Sequence, residues 1–339
     1  MPMKLILNRN TLCHTVISCI LLLLIGLVIG YRIAAKPPLV TQQHYPGNTK
    51  DGCIQNFGPY GIIATGGNNA LVWDWQAKQV KHYLSQNPAL EGIKQVKLAN
   101  SAPIGVTRGP DSLTVWSLET GRALAIWKLE RPIVDFTLAN NGSSALVALD
   151  NQQLQLIDLK TGEAKYTMDQ DAPITSIALT GDGHYALSGG ENNIVKVWNL
   201  SEHAKIYEWP HHSDINVIEI SDNGNQVLTG TEEGYLQVWN LNTGQLQQQL
   251  PSPPTEVTSA DFSDNGKYLA LATASQWIQI WDIHGNKLVT EWALPQPHFW
   301  KPGLGEIHSI VLHLDKHQII TENANGMGHI WGLAKNCCP

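Results

Sequence analysis

Charge is scarce in this chain. Asp, Glu, Lys and Arg make up 15% of 339 residues, and the net charge is -7. No basic stripe that would track phosphates is present, so nucleic acid drops out as a partner class. The mild acidic excess is a solubility feature. Cysteine says equally little: Cys13, Cys19, Cys53, Cys337 and Cys338 form no CxxC pair and no disulfide spacing. Catalytic signatures are missing too, with no GxSxG elbow, P-loop, HExxH or dinucleotide fingerprint. No catalytic residue and no cofactor is therefore expected. His298, His308, His313, His317 and His329 crowd the C-terminal end and invite a metal. On a strand, however, His308 and His313 point to opposite faces. A metal site needs converging ligands, so these read as scattered surface and turn residues.

What is locally absent matters more. Between Asn10 and Tyr31 there is no Asp, Glu, Lys or Arg. About 20 apolar residues at 1.5 Å rise cross a roughly 30 Å hydrocarbon layer, so residues 11–31 are expected to form a transmembrane helix acting as a signal anchor. It follows an N-terminal flank, 1–10, and precedes a linker, 32–38. The alternative is export after cleavage near Gly30, with Val28-Ile29-Gly30 serving as the cleavage site. A lipobox reading of Val16-Ile17-Ser18-Cys19 fails because the apolar stretch follows Cys19 instead of preceding it. Lys4, Arg9 and the amino terminus precede the span; Arg32 and Lys36 follow it. This balance favours a cytoplasmic N-terminus, with the remainder on the non-cytoplasmic side, periplasmic if the cell is bacterial.

The rest of the chain is a repeat. Tyr235-Leu236-Gln237-Val238-Trp239-Asn240 alternates apolar and polar residues as a half-buried strand does. Its echoes are anchored at Trp73, Trp116, Ile157, Trp198, Trp281 and Trp331, in steps of 43, 41, 41, 41, 42 and 50 residues. In the fourth repeat, strands over 174–179, 185–188, 195–200 and 204–209 are separated by turn residues. Four short strands cannot bury both faces alone, so neighbouring repeats must stack. Eleven residues after each of the first six anchors stands Leu84, Trp127, Met168, Trp209, Leu250 or Trp292, a recurrent packing position. The last repeat stops after its third strand. Leu39 to Tyr45 resembles the complete outer strands and is expected to supply the missing one.

These residues resemble the WD-repeat (WD40-like) family of β-propellers, over essentially all of 39–334. The resemblance implies an all-β, seven-bladed β-propeller closed by an N-terminal outer strand and preceded by one transmembrane helix. Only Trp73-Asp74 and Trp281-Asp282 keep the name-giving dipeptide, with Asn199 and Asn240 as near substitutes. The family's hydrogen-bond tetrad is approached only by His211, Thr229, Glu233 and Trp239; elsewhere its histidine is missing. The family's topology also implies that loops into each first strand share one face, the top, so that the membrane segment would join the opposite, bottom face.

Function is sought where the repeats differ. The 50-residue step places about nine extra residues near Leu294 to Gly303, stiffened by proline. His298, Phe299, Trp300 and Lys301 are the candidate partner-binding residues, aromatics beside a cation; the alternative is that Phe299 and Trp300 plug the ring. The reading is a membrane-anchored scaffold or adaptor for protein–protein interaction, with protein partners on the top face and the bilayer contacted by 11–31. One alternative is a quinoprotein-like membrane-tethered oxidoreductase, whose D-x-x-T-G-x-x-x-W run is nearly matched by Asp158, Thr161, Gly162 and Tyr166. Another is a propeller that senses a small ligand in its channel. Cys337 and Cys338, in a tail over 335–339, are expected to be functionally silent, with acylation as the lesser alternative.

Overall fold

The computed structural model describes residues 40–43, 51–54, 59–251, 253, 255–294, 306–324, 327–334 and 338. Among them are 28 β-strands, numbered in chain order, and no helix long and apolar enough to cross a membrane. The anticipated membrane segment, 11–31, the linker and Gly30 lie outside the described residues, as do His298, Phe299, Trp300 and Lys301.

The strands form seven four-stranded antiparallel sheets. Blade 1 comprises β2 (Asp51–Ile54), β3 (Tyr60–Gly66), β4 (Asn69–Asp74) and β5 (Gln79–Ser85). Blade 2 has β6 (Gln95–Leu98), β7 (Ile104–Arg108), β8 (Ser112–Ser117) and β9 (Ala123–Lys128). Blade 3 has β10 (Ile133–Leu138), β11 (Ser144–Leu149), β12 (Gln153–Asp158) and β13 (Ala164–Asp169). Blade 4 has β14 (Ile174–Leu179), β15 (Tyr185–Gly190), β16 (Ile194–Asn199) and β17 (Ala204–Pro210). Blade 5 has β18 (Ile215–Ile220), β19 (Gln226–Thr231), β20 (Leu236–Asn240) and β21 (Leu246–Leu250). Blade 6 has β22 (Val257–Phe262), β23 (Tyr268–Thr273), β24 (Trp277–Asp282) and β25 (Lys287–Ala293). Blade 7 combines β26 (Ile307–His313), β27 (Gln318–Asn323) and β28 (Met327–Gly332) with β1 (Val40–Gln43), its outermost strand.

The first strands touch in the cyclic order β2, β6, β10, β14, β18, β22, β26 and back to β2. That cycle is a seven-bladed β-propeller. Seven apolar clusters hold it, one at each blade–blade interface. The two regularities of the sequence meet in these clusters. Each anchor faces the preceding blade: Trp239 joins Leu187, Val195 and Trp209 of blade 4, and Trp331 joins Ile278, Ile280 and Trp292 of blade 6. The large residue eleven positions after an anchor faces the following blade, so the two sets pack against each other. Trp209 and Trp239 stack with centroids 4.7 Å apart and planes 5° apart, while Trp292 meets Trp331 at 5.9 Å and 50°. Burying such side chains is worth about 1.5–3 kcal/mol each, and no single blade could do it alone.

Closure is a matter of register. Val40 pairs with Ile330 and Gln43 with Met327, antiparallel. The chain therefore enters the ring beside the end of β28, the side on which third strands finish. The tail departs from expectation: Cys338 is 9% exposed and joins the apolar cluster between blades 6 and 7, so that residue is part of the core instead of a loose end.

Candidate functional site

Three sets of side chains carry the polar chemistry of the ring. The first is the set approached by His211, Thr229, Glu233 and Trp239. The Trp239 indole N–H donates to Thr229 Oγ1 at 2.9 Å, and His211 Nε2 lies 2.7 Å from the same oxygen. His211 Nδ1 sits 2.9 Å from the Trp209 carbonyl. A carbonyl only accepts, so Nδ1 carries the proton and Nε2 accepts from the Thr229 hydroxyl. Burial holds the His211 imidazole below its ordinary range, consistent with that neutral form. Glu233 is not brought into the chain. It is exposed in the turn after β19, and the Trp209 carbonyl occupies the acceptor role expected of it.

The same device recurs with glutamine. Trp198 donates to Ser188 Oγ at 3.2 Å, which donates to Gln170 Oε1 at 2.6 Å. Trp116 donates to Thr107 Oγ1 at 3.0 Å, which donates to Gln86 Oε1 at 2.9 Å. Gln86 and Gln170 stand thirteen residues after their anchors, as His211 does. A neutral histidine nitrogen and a glutamine oxygen are interchangeable acceptors for a hydroxyl, a substitution the histidine search passed over. Trp331 donates to Thr321 at 3.1 Å and Trp281 to Gln279 at 3.2 Å. Each bond contributes about 1 kcal/mol net, and those joining Thr229, Ser188 and Thr107 to His211, Gln170 and Gln86 reach from one blade to the preceding one.

The second set lies one residue after the anchors. Asp158 Oδ1 accepts from the Lys160 and Thr161 backbone at 2.8 and 3.1 Å, capping the turn before β13. Asp74, Asn199, Asn240 and Asp282 make the same kind of turn contact. Asp158, Thr161 and Gly162 are thus accounted for by turn chemistry. Gly162 has φ of 77°, and a Cβ there would overlap the Trp127 ring, whose indole N–H donates to Leu159 O at 3.0 Å. Tyr166 stacks on His203 with centroids 4.6 Å apart.

The third set lines the central channel, a cavity of about 590 Å³. Side chains of every first strand line it, among them Asp51 and Cys53, Gln95 and Lys97, Asp135 and Thr137, Ser176 and Ala178. Blades 5 to 7 continue with Val217 and Glu219, Ser259 and Asp261, and Ser309 and Val311. Adjacent first strands share no ladder, so their backbone N–H groups need other partners, and channel side chains supply them. Asp51 accepts from Val96 N–H at 2.8 Å, Ser176 from Ile218 at 3.1 Å, Ser259 from Ile310 at 3.2 Å and Asp261 from Leu312 at 2.7 Å. Gln95 Nε2 donates to Asp135 Oδ1 at 2.7 Å.

Electrostatics divide this channel. Burial, opposed by Lys97, pushes the Asp51 carboxyl up, and burial pushes the Cys53 thiol up. Burial also drives Glu219 to about 8 against the pull of Lys97. Burial alone would lower Lys97, but Cys53, Asp51, Asp135 and Glu219 together carry its ammonium above the ordinary lysine range. His308 lines the channel while His313 is buried with its imidazole lowered by burial. Among the described residues no group of three His, Cys, Asp or Glu side chains is placed to hold a metal ion.

The fold and its repeated tryptophan strand define a class, the seven-bladed propellers built from a repeat of about 41 residues. The chain carries WD repeats: the family model described as WD domain, G-beta repeat matches residues 162–199, 204–240 and 244–282. Each match runs from the outer strand of one blade through the first three of the next, as β13 to β16, β17 to β20 and β21 to β24. A search of curated proteins finds no match to the chain.

Proposed function

We propose that the chain is a non-catalytic interaction scaffold, tethered to a membrane through residues 11–31, that receives a protein partner on the face carrying the loops into each first strand. The observation behind this reading is the closed ring with WD repeats, a fold typical of protein-interaction scaffolds. Loops from several blades on such a ring make composite surfaces, and the fold by itself does not name the partner. The tether is supported by the charge-free stretch from Asn10 to Tyr31 and by the point at which β1 enters the ring. Entry beside the end of β28 turns the bottom face toward the bilayer and the segment joining β25 to β26 away from it. That segment holds His298, Phe299, Trp300 and Lys301, the proposed contact residues. The charge balance around the span favours the ring on the non-cytoplasmic side.

Crosslinking in native membranes tests the reading. A protein that crosslinks to the full chain should be lost when Phe299 and Trp300 are both replaced by Ala, with the melting temperature unchanged. Equal recovery with the double variant would remove the contact assignment. Release of the full chain by alkaline carbonate would remove the anchor.

A further inference from the structure

The channel is polarised across its diameter. Its long cations, Lys94, Lys97 and Arg108, all come from blade 2. In a seven-membered ring the point opposite blade 2 falls between blades 5 and 6, and there the lining carries Glu219, Asp222 and Asp261 with no lysine, arginine or histidine. Four of the charged groups are held by hydrogen bonds within the ring. Arg108 donates to Gln95 Oε1 and to the carbonyls of Ile133 and Val134, and Asp51, Asp135 and Asp261 accept the bonds already described. Two are left over. Lys97 has carboxylates near it but no hydrogen bond among the described residues, and Glu219 reaches only the Ile220 N–H beside it on its own strand.

We propose that the central channel binds a small zwitterion, an amino acid or ω-amino acid, with its ammonium group on Glu219 and its carboxylate on Lys97. A simple amine would gain nothing from Lys97 at its far end. A simple carboxylate would meet Asp51 and Asp135 beside Lys97 and gain nothing on the opposite wall. A dipolar molecule satisfies both walls at once. The volume, about 590 Å³, lies within the size of ordinary small-molecule sites and leaves room for bridging water. Arrival of an ammonium group would favour the ionised Glu219, so binding should release a proton at neutral pH. This site is independent of the scaffold reading: it uses the inside of the ring, not the loop surface.

The test is calorimetric titration of the full chain in detergent with glycine, β-alanine, γ-aminobutyrate and 6-aminohexanoate, against butylamine and butyrate as monopolar controls. At least one zwitterion should bind at least about tenfold more tightly than both controls. Glu219→Gln and Lys97→Met should each weaken it by about tenfold or more, and the observed heat should vary with the ionisation enthalpy of the buffer. Circular dichroism and melting of both variants show whether the ring has formed. The proposal is overturned if no zwitterion binds up to about 10 mM, if butylamine or butyrate binds as well, or if both folded variants bind unchanged.

Discussion

Replacing Glu219 by Gln should stabilise the protein, by an amount that grows from about pH 4.5 and is complete above about pH 8. The folded state holds the Glu219 proton until about pH 8, whereas an ordinary glutamate releases it near 4.5. Between those values the folded state binds more protons than the unfolded one, so stability falls as pH rises through the window. Each pH unit of separation is worth about 1.4 kcal/mol, which sets a ceiling of about 5 kcal/mol. The carboxyl is half-buried on the wall of a cavity wide enough for water, and Lys97 faces it. Screening brings the expected loss down to about 1–3 kcal/mol. Glutamine keeps the shape of the protonated acid and cannot ionise. Urea unfolding of both proteins should therefore coincide near pH 4 and diverge by about 1–3 kcal/mol near pH 9, with the variant more stable. Asp51 is also raised by burial but is common to both proteins, so it cancels in the difference. A pH-independent difference, or a variant less stable at pH 9, would refute the argument.

Other expectations follow from the inter-blade contacts. His211→Gln should cost less than about 1 kcal/mol, because Gln86 and Gln170 serve the same position; His211→Leu, which orphans the Thr229 hydroxyl, should cost about 1–3 kcal/mol in thermal unfolding. With histidine in place, burial keeps the ring neutral, so its contribution is complete above about pH 6.5 and is lost as pH falls below it; the glutamine variant should lack that acid limb. Gly162→Ala should cost about 2–4 kcal/mol, since strain at φ of 77° adds to overlap with Trp127. Gly183→Ala is the control: its φ is 75°, but a Cβ there meets nothing closer than 3.9 Å, and about 1 kcal/mol is expected. Deleting residues 39–45 should lower the melting temperature sharply by stripping β1 from blade 7; an unaltered melting curve would show that blade 7 does not depend on it.

The propeller was legible because its determinants are local and repeated. An alternating strand ending in tryptophan, a turn residue after it and a large apolar residue eleven positions on recur at nearly fixed spacing. The structure adds what those residues do: Trp239 and Trp209 belong to different blades and stack across the seam. Gln86 and Gln170 escaped notice because the search was for an imidazole, while the physics asks only for an acceptor at that register. Glu233 was drawn in by its position in the turn, where solvent competes for its carboxylate and a backbone carbonyl lies nearer to His211. The channel was invisible for a different reason. Each first strand lends it only a short run of side chains, and Lys97 and Glu219 are brought to one cavity solely by closure of the ring.

The half-step between repeat and blade has a consequence for how such rings can change size. Each matched unit contributes an outer strand to the blade behind it and three strands to the blade ahead. A tandem run of these units, whatever their number, begins with one orphan outer strand and ends with one blade lacking it. The two vacancies are complementary, as β1 and β28 show. Duplication or loss of a whole unit therefore keeps the capacity for self-closure, whereas a cut in phase with the blades would abolish it. The phase of the repeat, more than its count, makes the ring heritable.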